Sequence, residues 1–323
     1  MSRTKHTVAV IGGGAAGIAA AASLLKRRPG LDIAIVEPCD THAYQPGWTM
    51  VGGGVFDVAD TIRPMASVMP RGVTWVKQAC SSFQPDNNQV TLSDGSTLAY
   101  DVLIVAPGIR LAWEKISGLD ATLGQNGVTS NYRPDLAPYT WELVQRTRAG
   151  RAIFTQPPLP IKCAGGPQKA MYLACDHWLR AGVLGDIAVE FRNAGGVLFG
   201  VADYVPALME YVGKYGIRLE LGSNLVAVDG PARQATFATA HGEETVEFDM
   251  LHAVPPPGCA AVSGRQPVGS AKRLCRSRSA HAPACALPQC LRAWRCRVYA
   301  QRQDRCCRAQ AGAGDRGQCA AAA

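Results

Sequence analysis

Three glycines, Gly12, Gly14 and Gly17, stand in the spacing G-x-G-x-x-G within "TVAVIGGGAAGIAAAASLL". In this pattern the first glycine makes a tight turn and the second lets the backbone touch a pyrophosphate. The third packs a helix closely on a strand. The phosphates then sit at a positive helix N-terminus. Glu37 ends the next apolar run, 20 residues after Gly17, where a carboxylate can bind ribose hydroxyls. A second place for chemistry is Cys163 in "PIKCAGGPQKAMYL", after a strand and just before a helix, with Lys162 adjacent. A helix N-terminus and a neighbouring ammonium both favour thiolate, although a buried structural cysteine fits the same local sequence. Cys175 lies 12 residues on, too far along the helix for an easy disulfide. Cys39 and Cys80 fit core or surface positions.

The elements that must hold these groups follow from periodicity. "HTVAVIGGG" is a β-branched run ending in glycines, a buried strand. "AAGIAAAASLLKRR" is a strong helix former, and "LDIAIVEP" is the next strand, completing a βαβ opening. "VTWVKQACSSFQPDNNQVTLSDGSTLAYDVLIVAPG" alternates like a meander with a tight turn at Asp94-Gly95. A second α/β series follows: strand "GRAIFTQ", helix "GPQKAMYLACDHWLRAG", strand "GDIAVEFRNAG" and helix "DYVPALMEYVGKYG" closed by Gly216. "IRLELGSNLVAVDG", "QATFATA" and "ETVEFDMLHAVPPP" read as short strands. Residues 43–57, "AYQPGWTMVGGGVFD", lack the strand-then-helix context of a phosphate loop and read as an irregular surface loop; Tyr44 and Trp48 there fit either flanking a planar ring or filling core. The second α/β series has no glycine fingerprint. Its strand-to-helix loop, "TQPPLPIKCAGG", is proline-rich, and proline offers no N–H to a phosphate, which argues against a nicotinamide dinucleotide there.

Composition divides the chain. Of 323 residues 47% are hydrophobic, ordinary for a globular protein, and the formal net charge is +8. From Gly258 onward there are twelve Lys and Arg against Asp304 and Asp315, about +10, which leaves residues 1–257 near −2. Eight of the twelve Cys lie in that tail, which has no Ile, no Phe and no period of either kind. The basic charge therefore says nothing about partners of the folded part, and no nucleic-acid partner is expected. No C-x-x-C spacing occurs, so no metal is expected. There is no apolar run long enough to span a membrane, and "MSRTKHTVAV" passes straight into a strand; the expected address is cytoplasmic, including the membrane surface.

"VAVIGGGAAG", "YQPGWTMVGGG", "YDVLIVAPG", "PIKCAGGPQKAMYL", "NAGGVLFGVADYVPALMEYV" and "VDGPARQATF" together resemble the sulfide:quinone oxidoreductases, FAD enzymes of the pyridine nucleotide–disulfide oxidoreductase superfamily. The resemblance covers residues 6 to about 256. It implies an α/β chain with two Rossmann-like domains: 1–118, FAD-binding, and 119–256, with a degenerate nicotinamide site. FAD would lie on Gly12, Gly14, Ala15, Ala16, Gly17 and Glu37, with Gln45, Pro46, Ala106 and Gly108 lining the flavin region. Cys163 matches the redox cysteine that carries sulfide as a persulfide, with electrons passing to FAD and then to a membrane quinone. A type II NADH:quinone reductase is the rival within the superfamily, opposed by Cys163 and by the missing second fingerprint. The other rival is a stub unable to retain flavin.

Relatives in this family close the flavin site with a segment containing "GD" and then a run like "STPNAKTAAAVRKQ", and residues 257–323 contain nothing like it. Read one base later, the codons of Leu287–Ala311 permit "FPNVFALGDAASTPNAKTAAAVRKQ". The tail thus reads as a frameshift product that cannot fold, with the slip near Pro256–Cys259. The shifted reading admits no Cys in the two positions after "GD", where relatives often carry a second redox cysteine.

Overall fold

The computed structural model describes residues 5–259 and 290–292. These form an α/β chain of two units. Unit 1 holds residues 5–42, 63–110, 259 and 290–292, and unit 2 holds Ala43–Ile62 and Leu111–Gly258. The linear division at residue 118 differs from this one because the chain enters unit 2 twice.

Unit 1 opens with β1 (Lys5–Ile11), α1 (Ala15–Arg27) and β2 (Ile33–Val36). Val8–Ile11 and all of β2 are buried, as a parallel sheet covered on both faces requires. α1 turns Ala21 onto Val10, Ile33 and Ile35, and Lys26 and Arg27 complement the dipole at its C-terminal end. The chain leaves through β3 (Thr41–Ala43), forms α2 (Trp48–Gly52) in unit 2, and returns through β4 (Ile62–Pro64), which pairs with β3. Then come α3 (Met65–Val68), β5 (Val73–Val76), β6 (Cys80–Gln84), β7 (Gln89–Leu92) and β8 (Thr97–Val105). The sheet runs β5-β2-β1-β8-β7-β6, parallel from β5 to β8 and antiparallel beyond. Gly95, at φ +83°, makes the turn expected between β7 and β8.

β9 (Ile109–Leu111) crosses from unit 1 into unit 2, which continues with α4 (Leu119–Thr122), β10 (Val128–Thr129), α5 (Ala137–Arg146), β11 (Gly150–Gln156), α6 (Gly166–Arg180), β12 (Ile187–Asn193) and α7 (Val205–Lys214). β13 (Arg218–Leu221), β14 (Asn224–Asp229), β15 (Gln234–Thr239), β16 (Gly242–Glu247), β17 (Met250–His252) and β18 (Pro257–Cys259) complete it. β10-β17-β11-β12-β13 is a parallel sheet, and β14-β15-β16 an antiparallel one. Two runs read as single strands are each divided. Gly222, at φ +68°, separates β13 from β14, and residues 248–249 separate β16 from β17. In each case the halves serve different sheets. The principal core lies between α6 and the parallel sheet, where Phe154, Met171, Trp178, Phe191 and Met250 are fully buried.

Residues 43–57 depart from the irregular loop expected of them. Gln45–Gly47 forms a 3-10 turn and runs directly into α2, whose Trp48 and Val51 bury against Ala137. In the tail, β19 (Cys290–Arg292) pairs in parallel with Leu103–Val105 of β8, a strand the sequence did not predict. The rest of the reading of residues 260–323, including disorder and the six cysteines there other than Cys290, lies outside the described residues.

Arg192 of β12 is 1% exposed. It donates to Glu190 at 2.8 Å and to Glu244 of β16 at 2.8 Å, and its guanidinium lies 4.5 Å from the Phe237 ring centroid. One cation thus ties the two sheets of unit 2 together. Its hydrogen bond holds the Glu244 carboxyl below the usual carboxylate range. Glu190 is itself buried, so truncating the cation strands a carboxylate whose remaining ion-pair partner among the described residues is Arg151, 3.3 Å away, with Arg218 acting on it at longer range. Arg192→Met should cost about 3 kcal/mol in a urea melt, against under about 1 kcal/mol for Glu244→Gln at the half-exposed end.

Candidate functional site

The glycine fingerprint forms the turn between β1 and α1, at the carboxyl edge of the unit 1 sheet. Gly12 has φ +103°, and a Cβ there would stand 2.2 Å from the Ala106 carbonyl oxygen at the end of β8. A Cβ on Gly17 would stand 1.9 Å from the Gly12 carbonyl oxygen. Gly12 and Gly17 are therefore fixed by the crossing of turn, helix and strand. Gly14 meets nothing within 4 Å. It is the N-cap of α1, without a side-chain cap, and the first turn, which begins Ala15-Ala16-Gly17, carries no acidic residue. A helix amino end without a side-chain cap or an acidic first turn, beside open space at Gly14, suits an anionic ligand.

Glu37 follows β2 directly. One carboxylate oxygen accepts from Gly13 N at 2.8 Å and the other from Cys39 N at 2.9 Å. The Glu37 backbone carbonyl accepts from Trp75 Nε1 at 2.8 Å. Each carboxylate oxygen keeps a further lone pair, so the group can still accept from a diol. Sequence reasoning missed Gly13, where a Cβ would lie 2.7 Å from Glu37 Cγ, and it missed Trp75. The run of three glycines was the visible signal for the first. Ala106 donates its N–H to Ile11 O at 2.8 Å, and Gly108 turns the chain at φ +77°. Gly12, Gly14, Ala15, Ala16, Gly17, Glu37, Ala106 and Gly108 are thus gathered in one unit. Their cradle fits the ADP end of a dinucleotide such as FAD. Gln45 and Pro46 lie in unit 2.

Unit 2 carries Cys163, three residues before α6. It is exposed, and Cys39 is exposed too. Cys80 and Cys175 are buried, which pushes their thiols up to about 11 and about 12. The Cys163 carbonyl accepts from Tyr132 Oη and from Gly166 N, both at 2.9 Å. The Lys162 ammonium lies over two rings, 5.0 Å from the Trp48 centroid and 5.6 Å from that of Tyr132. Trp48 is 5% exposed and so belongs to the core, whereas Tyr44 is exposed. Tyr132 escaped the sequence reading, because no periodicity marks residues 130–135. Its segment is held by His252 Nε2, which accepts from Asn131 N at 2.9 Å.

Two predictions follow from these contacts. Gly12→Ala should destabilise the fold by about 2 kcal/mol or more, through left-handed strain and the clash with Ala106. Gly14→Ala should leave the melting midpoint near that of the parent. Burial pushes His252 down to about 4. It is therefore neutral in the fold, while the unfolded chain takes up its proton near pH 6.5. Stability from this group is complete above pH 6.5 and is lost as pH falls toward 4, by about 2 kcal/mol between pH 7.5 and 5. His252→Gln, whose amide oxygen can still accept from Asn131, should flatten that part of the pH dependence in denaturant melts.

The profile of the family described as pyridine nucleotide-disulphide oxidoreductase matches residues 6–138. The mitochondrial sulfide:quinone oxidoreductase of Dictyostelium discoideum is 38% identical over 263 residues, covering 81% of this chain and 58% of that protein. The Mus musculus enzyme of the same name is 36% identical over 270 residues, 83% of this chain and 60% of its own length. The chain therefore spans under two thirds of these relatives. Among solved structures, the Aquifex aeolicus sulfide:quinone oxidoreductase superposes with TM-score 0.66 at 19% identity, over 78% of this chain and 58% of that one. Plasmodium falciparum NDH2 superposes with TM-score 0.61 at 11% identity, over 81% of this chain and 57% of that one. These two likenesses show the shared fold. By its sequence relatives, the chain is a homologue of the sulfide:quinone oxidoreductases and belongs to the pyridine nucleotide-disulphide oxidoreductase family.

Proposed function

We propose that the chain derives from an FAD-dependent sulfide:quinone oxidoreductase in which Cys163 is the sulfide-attacking thiol. The observation that carries this reading is an exposed cysteine on a fixed loop at the amino end of α6, in a chain whose other unit holds a dinucleotide cradle. Joining sulfide to the thiol as a persulfide makes one S–S bond and releases two electrons and two protons. Bound FAD supplies the two-electron acceptor chemistry, and a quinone takes up the same electrons and protons as it becomes a quinol. In unit 1 the α1 amino end, Gly14 and Glu37 bind the ADP moiety and Ala106 and Gly108 border the flavin, and in unit 2 Cys163 binds the sulfur. No helix among the described residues is long and apolar enough to cross a membrane.

A nicotinamide enzyme is the weaker reading. The β11-to-α6 loop carries Pro157, Pro158 and Pro160, which give no N–H to a pyrophosphate.

The flavin-closing segment bears on whether the chain as written can work. Cys290–Arg292 lies beside the buried half of β8, and a strand in such a place is ordinarily an apolar run. Read one base later, the same three codons permit Val-Phe-Ala. This supports a frame slip near codon 257.

The test is to express the chain as written and a version corrected by one base. The corrected protein should purify yellow and the other colourless or poorly soluble; stoichiometric FAD in the uncorrected chain would remove the frame argument. In the corrected protein, Cys163→Ser should keep its FAD but lose sulfide-dependent bleaching of the flavin band. NADH should bleach that band far more slowly than sulfide. Retained sulfide turnover in Cys163→Ser would remove the cysteine from the reaction.

A further inference from the structure

The loop that carries Cys163 is held by two side chains from distant parts of unit 2. Its first half, residues 157–160, is stiffened by three prolines that fix φ. Its second half, 161–165, contains no proline and precedes the first helical residue of α6. Left to itself that half would sample many conformations. Three contacts restrain it. Ile161 buries with Tyr132 and Val254. The Lys162 ammonium lies over the Trp48 and Tyr132 rings. The Tyr132 hydroxyl donates to the Cys163 carbonyl, which also accepts from Gly166 N.

The rings themselves are fixed. Trp48 is in the core with Val51 and Ala137, and Tyr132 follows Asn131, whose N–H is bound by the fully buried His252. Gly166 completes the arrangement. A Cβ there would lie 2.6 Å from Tyr132 Oη, so a glycine is needed for the hydroxyl to reach the Cys163 carbonyl.

Sequence adjacency makes Lys162 look like a charge meant for the thiol. The geometry points instead to a different division of labour. We propose that Trp48 and Tyr132 are positioning residues for Cys163: their rings hold the Lys162 ammonium and the Tyr132 hydroxyl holds the Cys163 backbone, so the exposed thiol keeps one place at the amino end of α6. The functional meaning rests on Cys163 being the sulfur-attacking thiol, but the clamp can be measured without turnover. An ammonium over aromatic faces is attracted by the ring quadrupoles, and a guanidinium can take the same place. A neutral side chain cannot.

The test uses the full chain as written, with two readouts resolved by peptide mass spectrometry: hydrogen exchange of residues 162–166, and the rate of Cys163 alkylation by iodoacetamide. Tyr132→Phe keeps the ring and removes only the hydroxyl. It should speed exchange in that peptide about fivefold, the effect of one hydrogen bond. It should also slow Cys163 alkylation about threefold, the size of a helix-end effect on a nearby charge. Trp48→Leu and Lys162→Gln should act in the same direction, and Lys162→Arg should restore both readouts to within about twofold of the parent. Should Trp48→Leu perturb the core, Tyr132→Phe still decides the matter.

Two results would overturn the clamp. One is parental exchange and alkylation in Tyr132→Phe. The other is an effect confined to Lys162→Gln, which would make Lys162 a simple charge. Neither touches the proposed reaction, which stands or falls on sulfide bleaching in Cys163→Ser.

Discussion

Unit 1 depends on one close approach. The turn after β1 passes so near the end of β8 that a single carbon on Gly12 would lie 2.2 Å from the Ala106 carbonyl oxygen. The amide of Ala106 donates to Ile11 O in the same crossing, and Gly17 brings α1 down onto the Gly12 carbonyl. This crossing sets the direction of α1. With that direction fixed, the helix presents an uncapped amino end over Gly14, and the end of β2 places Glu37 against Gly13. The shape of the cradle is thus a consequence of backbone packing. No side chain but Glu37 needs to reach into the cradle, and Glu37 is held by two backbone N–H groups.

Unit 2 uses the same strand-to-helix geometry for a different end. Where unit 1 has glycines, the β11-to-α6 connection has prolines followed by a cysteine. The prolines remove donors and conformational freedom together. A loop of this kind cannot wrap a phosphate, but it can hold a reactive side chain in place. The buried supports are consistent with that role. His252 is kept neutral by burial, so the segment bearing Tyr132 does not change charge across the physiological range. Arg192 couples the two sheets behind it through Glu190 and Glu244.

What the sequence disclosed followed local physics. β1, α1, β2, the meander, α6 and α7 were legible because each has its own period or its own breaker, such as Gly95 at φ +83° and Gly216 at φ +63°. The cradle was legible because glycine spacing is a backbone property. The less legible parts were tertiary. α2 is five residues long, too short for a period, and its glycines disguised it as a loop. Residues 217–230 and 244–257 looked continuous because an apolar run does not announce a change of sheet. Tyr132 carried no signal at all, since its role depends on Gly166, 34 residues away.

The tail joins the two kinds of reading. β8 is paired with β1 along most of its length, but β7 covers only Thr97–Ala99 on the other edge. Leu103–Val105 would leave that edge bare just before the crossing at Ala106 if nothing paired there. A bare edge on a buried parallel strand leaves backbone donors and acceptors without partners. The sheet therefore requires one more parallel strand at this place, and the chain supplies Cys290–Arg292 in register with Leu103–Val105. The demand comes from the backbone of β8. The strand position is an observation of backbone pairing, and it holds whichever side chains the chain carries there.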